Sequence, residues 1–450
     1  MSLKFEQYKL IVRQSKRNKR HISIWTAPAF VISSMIGTGV FTSLGFQLND
    51  LQSIFPLLML WVIGGFIALL GALAYSELAA ALPRSGGEYH LLSQSIHPSL
   101  GFAGGLVSAT VGFSAPAVLA AMALGKYLSA VFPVLDATII ATSSVIIFHL
   151  IHGNSIRIGT FIQDGTTVIK IALILLFIIM GLINTTPQDI SIFPKVGDIK
   201  LLFSSGFAIS LVWVSYAYTG WNSSVYIAGE VVDPKINIPK SLLLSTVFVM
   251  VLYVLLNYVF LYSTPKSLMI NELEVGYIAG VNIFGEVGAK IVGLGIAILL
   301  ISTVSSYIFI GPRIMQVMGE DHKYLHFLSK KNDEGIPVIA FCVQLIICMI
   351  FILSSSFEQV LLYTGISLII STTMTVLGLF VLRIRKPELD RPYKVWGYPF
   401  TPAIFIILNT WILFYTFRIQ PFESLIGFGI VIISIGIYYF GNMLKKETVK

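Results

Sequence analysis

Two glycine-punctuated tracts interrupt otherwise apolar runs: Ile36-Gly37-Thr38-Gly39-Val40-Phe41 and Tyr216-Ala217-Tyr218-Thr219-Gly220-Trp221. A glycine inside a helix costs about 1 kcal/mol relative to alanine, and its ordinary use in an apolar helix is close packing. Such tracts can instead let the helix unwind. Unwinding leaves amide N–H groups at the start of the second half-helix, where the dipole is positive and suits a carboxylate. It also frees carbonyl oxygens at the end of the first half, which suit an ammonium group. Two breaks facing one another would hold both ends of a small zwitterion.

Lys170, in Thr166-Thr167-Val168-Ile169-Lys170-Ile171, is the next residue with chemical potential. A lysine at mid-bilayer costs about 2.5–3.5 kcal/mol on insertion scales. It sits too far from either end of its run to snorkel, so it is expected to face protein and to have a partner. Ser302, Ser305 and Ser306 either face that spot or bond their own backbone. His149 and His152 have HxxH spacing, but no third ligand is near, and interfacial packing is expected rather than a metal. Cys342 and Cys348 fall six apart in one apolar run and are expected to pack as small hydrophobes. The chain lacks a GxSxG elbow, an HExxH pair and paired carboxylates inside its apolar runs, so enzymatic chemistry is not expected, nor is a cofactor. A channel would use rings of groups around an oligomeric axis, whereas paired internal breaks suit a site within one subunit.

The elements that would position these residues are membrane helices. Of 450 residues 56% are hydrophobic and only 12% charged, against about a quarter charged in a soluble domain. A soluble fold of this size could not hide so much apolar surface. Apolar segments fall near 22–46, 54–82, 99–125, 134–153, 158–184, 203–228, 241–263, 287–318, 337–354, 357–384, 402–418 and 423–443, which predicts twelve spans. The stretches 86–98 and 268–285 are ambiguous, the second reading as a loop with a short surface helix. Twenty-three of the thirty lysines and arginines lie in the two tails and in loops on their side, six lie opposite, and Lys170 lies within a segment. That bias places both termini in the cytoplasm. It also accounts for the net charge of +8 without nucleic acid. No cleavable signal peptide is expected.

The broken segments are the first and the sixth. They open two five-helix units, and because five is odd the second unit runs inverted; interrupted helices at matching positions of inverted repeats point to a binding site at the midplane. The predicted fold is thus an all-α integral membrane protein with a five-plus-five inverted repeat and two C-terminal helices. Residues 1–21 form a basic tail, 22–384 the ten-helix core, 385–443 a loop with helices eleven and twelve, and 444–450 a second tail.

Five stretches resemble the amino acid–polyamine–organocation (APC) transporters, near the L-type and cationic amino acid branch. They are Gly37-Thr38-Gly39-Val40-Phe41; Tyr75-Ser76-Glu77-Leu78 with Pro83-Arg84-Ser85-Gly86-Gly87-Glu88-Tyr89; Tyr216 to Asn222; Glu230 and Asp233-Pro234 to Asn237-Ile238-Pro239; and Arg391 to Pro399. The resemblance implies a LeuT-like fold and alternating access. Thr38 and Gly39 would donate to a substrate carboxylate. The carbonyls of Met35, Tyr216, Ala217 and Thr219 would receive its amino group, with Gly37 and Gly220 supplying the breaks. Tyr216 would gate the site and Trp221 line it, while Thr219 stands where several relatives have glycine. Lys170, with Gln163 and Asp164 upstream, would replace a sodium ion and steady the first break, or a proton would couple through it. Glu77 and Glu88 would fix loop geometry or gating contacts, and Glu230 would pair with a basic residue. Acidic residues look scarce near the breaks, which favours a neutral amino acid over a polyamine or another organic cation. The loop over 126–134 has no cysteine, so no disulfide-linked heavy chain is expected. Short tails suit a bacterial inner membrane.

Overall fold

Inside lipid every backbone N–H and C=O must be satisfied within the chain, which leaves uninterrupted apolar runs little choice but helix. The computed structural model describes residues 22, 24, 26–154 and 157–447, the side chains of 157–167 and 444–447 excepted. The basic tail 1–21, residues 448–450 and the side chains of Gln163 and Asp164 lie outside the described residues. Among those described, the one extended pairing is a parallel bridge between Ile22 and Val231.

The first segment is two helices, α1 (Thr26–Met35) and α2 (Gly39–Asp50), separated by bends at 36–38. Next come α3 (Ile54–Ala81), α4 (Gly87–Ser95), α5 (Pro98–Val107) and α6 (Ala115–Val131), the last two joined by a π-helical turn over Ser108–Ser114. Helices α7 (Ala137–Asn154), α8 (Arg157–Ile183) and the short α9 (Asp198–Leu201) complete the first half. The sixth segment is again divided. Helix α10 (Ser205–Ala217) ends in turns over 218–222 before α11 (Ser223–Tyr226). The rest are α12 (Pro234–Ser263), α13 (Val275–Asp321), α14 (Val338–Ser354), α15 (Phe357–Arg385), α16 (Phe400–Ile419) and α17 (Pro421–Glu447).

Among the described residues nine stretches are long and apolar enough to cross a membrane, α1 with α2 and α5 with α6 each acting as one. Three shorter apolar helices, Val168–Ile183, Ser205–Ala217 and Val338–Ser354, fall on the fifth, sixth and ninth segments expected from sequence. The ambiguous stretch 86–98 is the non-spanning helix α4, whose successor starts with Pro98 behind a His97 cap. Around 268–285 the expected loop and short helix are fused to the eighth segment. Gly285, at φ 70 and ψ 177, bends α13 there and sets residues 275–284 apart from the long remainder.

The core is formed by the broken helices and their neighbours. Helix α12 packs along α3, α13 along α6, and α2 along α10. Apolar side chains such as Ile139, Leu353 and Ile407 point outward and are exposed, as expected where lipid is the solvent. Of the two cysteines only Cys348 packs inside, while Cys342 is exposed on the outer face of α14.

Candidate functional site

The two breaks touch at two glycine contacts. A Cβ on Gly39 would lie 2.4 Å from Ala217 Cα, and one on Gly220 would lie 2.7 Å from the Ser34 carbonyl group. Each break is therefore pressed against the backbone of the other, and only glycine permits that approach. Gly220 also holds φ at +102°, a conformation L side chains rarely adopt.

On one side of this crossing side chains of the two segments pack against each other. Phe46 of α2 stacks on Trp213 of α10 at 4.6 Å between ring centroids, and Phe46 stacks in turn on Phe357 at 6.1 Å. Thr38 Oγ1 and the Tyr216 hydroxyl share a buried 2.8 Å hydrogen bond between the two segments. On the other side a cavity of about 700 Å³ opens past Ser85, Glu230 and Gln316. It reaches the breaks through Ser33, Ser34, Tyr216, Thr219, Gly220 and Trp221.

Five of the expected site residues behave differently. None of Met35, Gly37, Thr38, Gly39 and Ala217 lines the cavity: four are buried, and a Cβ on the half-buried Gly37 would face Thr303 of α13 at 3.6 Å. The Met35 carbonyl already accepts a 2.6 Å hydrogen bond from the Tyr253 hydroxyl of α12. Trp221 forms part of the wall and sits edge-on to Tyr75, with centroids 4.8 Å apart.

Lys170 is buried at 2% exposure and is among the residues lining the cavity. Its Nζ donates to the Ser33 carbonyl at 3.2 Å and to Thr303 Oγ1 at 3.3 Å. It thereby ties the end of α1, just before the first break, to α13. The hydroxyl partner is Thr303 rather than a serine; Ser305 bonds His152 Nε2 at 2.8 Å and Ser306 its own backbone at Ser302. Both histidines are buried rather than interfacial, and His149 Nδ1 donates to the Val145 carbonyl at 2.8 Å. Thr303 and Ser306 are three apart and both line the cavity, so helical spacing alone could have picked Thr303 out.

The charge in the cavity is also richer than the sequence suggested. Lys170 and Arg313 are matched by two carboxylates, Glu88 and Glu230. Acidic residues are thus not scarce near the breaks, because chain folding brings α4 beneath the sixth segment. Glu230 acts electrostatically on Arg313, the basic partner expected for it. Glu88 Oε1 accepts from Tyr75 at 2.9 Å and from Asn222 at 2.5 Å, and Oε2 accepts from the Tyr226 hydroxyl. Burial pushes the Glu88 carboxyl above the usual range, against the opposing pull of these hydrogen bonds. Glu77 has no place in the cavity. It receives a two-pronged pair from Arg383 at 2.8 and 2.7 Å and the Val395 amide at 2.7 Å, tying α3 to the loop after α15.

A cavity between two unwound helix midpoints is what a carrier requires, and comparison with known proteins decides which kind. The amino acid permease family model matches residues 22–440. The chain belongs to that family. This amino acid permease is 26% identical to mouse b(0,+)-type amino acid transporter 1 over 94% of its own length and 88% of the relative's. It is 26% identical to human large neutral amino acids transporter small subunit 2, over 94% and 80%. Mouse Asc-type amino acid transporter 1 is 25% identical over 95% and 82%. The permease thus falls within the APC superfamily, in its L-type branch, and is a multi-pass membrane protein of the amino acid transport class.

Proposed function

We propose that this permease is a secondary active transporter of neutral amino acids, independent of sodium, that works by alternating access as an exchanger or a proton symporter. The observation that carries the reading is the cavity at the two breaks, lined by two cationic and two carboxylate side chains. A balanced charge of that kind suits a zwitterion with an uncharged side chain. The name of one relative, large neutral amino acids transporter small subunit 2, points the same way.

In this reading the chain has twelve spans arranged as five-plus-five with two added, and the cavity faces the cytoplasm, where the excess of basic residues lies. Substrate would place its carboxylate on the amides of Thr38 and Gly39. Its ammonium would meet the carbonyls of Met35, Tyr216, Ala217 and Thr219. Met35, Thr38, Gly39 and Ala217 do not line the cavity in its present state, so the residues that already do, Tyr216, Thr219 and Trp221, form the first encounter surface. Lys170 fills the role a sodium ion would have, because its ammonium holds the Ser33 carbonyl in place. No disulfide-linked subunit is needed.

A polyamine or another organic cation is the second reading, and Glu88 and Glu230 favour it. Both carboxylates, however, already have partners of their own. Full-length protein in proteoliposomes, loaded with labelled leucine and challenged with each of the twenty amino acids and with spermidine, separates the two. Competition by neutral amino acids, equal in sodium and choline media, is expected. Competition by spermidine alone would establish the cation reading, and strict sodium dependence would rule out the role given to Lys170.

A further inference from the structure

Glu88 is a carboxylate 3% exposed, and among the described residues no cation pairs with it. A buried carboxylate is normally matched by a cation or neutralised by a proton. Here its three partners are neutral donors, Tyr75, Asn222 and Tyr226. It also lines the cavity, so water and protons from the open side reach it. Two of its donors flank the sixth-segment break, Asn222 within the turns and Tyr226 at the end of α11.

The surrounding network can carry the carboxyl in either state. With Glu88 ionised, Tyr226 donates to Oε2. With a proton on Oε2, the carboxyl becomes a donor and the Tyr226 hydroxyl must accept. That reversal is possible because Tyr226 has a second hydroxyl partner, Ser108 Oγ at 3.0 Å, and Ser108 in turn reaches the Gly104 carbonyl at 2.8 Å. Lys170 and Arg313 share the cavity with it, and among the described residues neither forms an ion pair with it. Helix α5 meets it with Gly104, where a Cβ would stand 3.3 Å from Glu88 Cβ. Helix α15 presents Thr375 beside the Tyr75 hydroxyl. On its own helix, Tyr89 donates to Asp321 at 2.7 Å, while His90 is held down to about 4 by burial and by Arg84.

We propose that Glu88 is the proton-binding site of this transporter, and that protonation weakens the hold of α4 on the sixth-segment break so that a proton moves with the amino acid. The proposal rests on the amino acid transport reading and selects proton symport within it. In the ionised state three hydrogen bonds hold α4 to α3 and to the break. Protonation takes a proton from the cavity onto Oε2, converts one accepted bond into a donated one, and raises the cavity's net charge by one. The last change favours entry of a substrate carboxylate. Burial raises the affinity of the Glu88 carboxyl for this proton.

The test uses full-length protein in proteoliposomes containing an internal pH dye, with leucine as the probe. Leucine entry is expected to acidify the lumen in the wild type, and the protons moved per leucine are expected to fall at least tenfold in E88Q. Y226F keeps the carboxyl but removes a bond that favours its ionised form, so its pH profile is expected to shift to the alkaline side. If E88Q carries no leucine, pH-difference infrared spectra decide instead. A carboxylic-acid band that titrates in the wild type and vanishes in E88Q supports the site, and a band unchanged in E88Q overturns it. Wild-type leucine uptake without acidification also overturns it while leaving the transport reading intact. Absence of any saturable amino acid uptake would strike the transport reading itself.

Discussion

Gly39 and Ala217 meet so closely that a Cβ on the glycine would stand 2.4 Å from the alanine Cα. The contact joins the first residue of α2 to the last of α10, which are the residues bordering the two breaks. The packing between the two segments is therefore tight at the proposed substrate site, and the stacked pair Phe46 and Trp213 extends it outward.

The first prediction concerns this contact and its mirror. Gly39→Val should keep α2 and α10 apart, and Gly220→Ala should strain a backbone at φ +102° while pushing on Ser34. Residues forced into such a region cost about 1–3 kcal/mol, too little to prevent insertion. Uptake in both variants is expected to drop at least tenfold, with membrane yield and size-exclusion profile unchanged. Wild-type uptake in both would remove the breaks from the mechanism.

Lys170 gives the second. Lys170→Met keeps most of the volume and removes the ammonium that holds the Ser33 carbonyl and Thr303. Leucine transport should fall at least tenfold, and Thr303→Val should cause a smaller loss because the Ser33 bond survives. The wild type should transport equally in sodium and choline. A Met variant that transports normally would show the lysine to be packing alone.

The breaks were legible from sequence because glycine is conspicuous in an apolar run, and the lysine because charge is costly there. Their partners were not. Tyr253 reaches Met35 across 218 positions and Thr303 reaches Lys170 across 133, and one hydroxyl in an apolar helix looks like any other until its direction is known. From its loop motif Glu88 reads only as a residue of loop geometry or gating contacts. Only the course of the chain back under α11 puts it in the cavity beside Asn222. The π turn over Ser108–Ser114 left no mark in hydropathy, since it changes backbone bonding and not composition.

A third prediction tests the bond between Thr38 and Tyr216. Both groups are buried, so Thr38→Val or Tyr216→Phe alone leaves one hydroxyl without its partner, at about 1–3 kcal/mol. The double variant removes both and should be less damaging than the sum of the singles. Thermal unfolding in detergent, read as a double-mutant cycle, should give a coupling of about 0.5–1.5 kcal/mol. Strict additivity would show that the two hydroxyls do not interact.

The last prediction separates the scaffold from the site. Glu77 is 1% exposed at its side chain and faces two guanidinium groups, Arg383 at 2.7 Å and Arg391 at 3.5 Å, as well as the Val395 amide. Glu77→Ala would leave these donors without their acceptor beneath the loop that follows α15. Breaking a buried pair from one side costs about 3–5 kcal/mol, and the partial exposure of Arg383 places this case toward the lower figure. A lower unfolding temperature is therefore expected, with leucine affinity unchanged in the protein that remains folded. Arg383 also lies 3.7 Å over the Tyr398 ring, so Arg383→Met should destabilise less than Glu77→Ala, since the methionine still covers the ring and Arg391 still balances the carboxylate. The opposite order would mean that the loop is held by packing on Tyr398 and not by charge at Glu77.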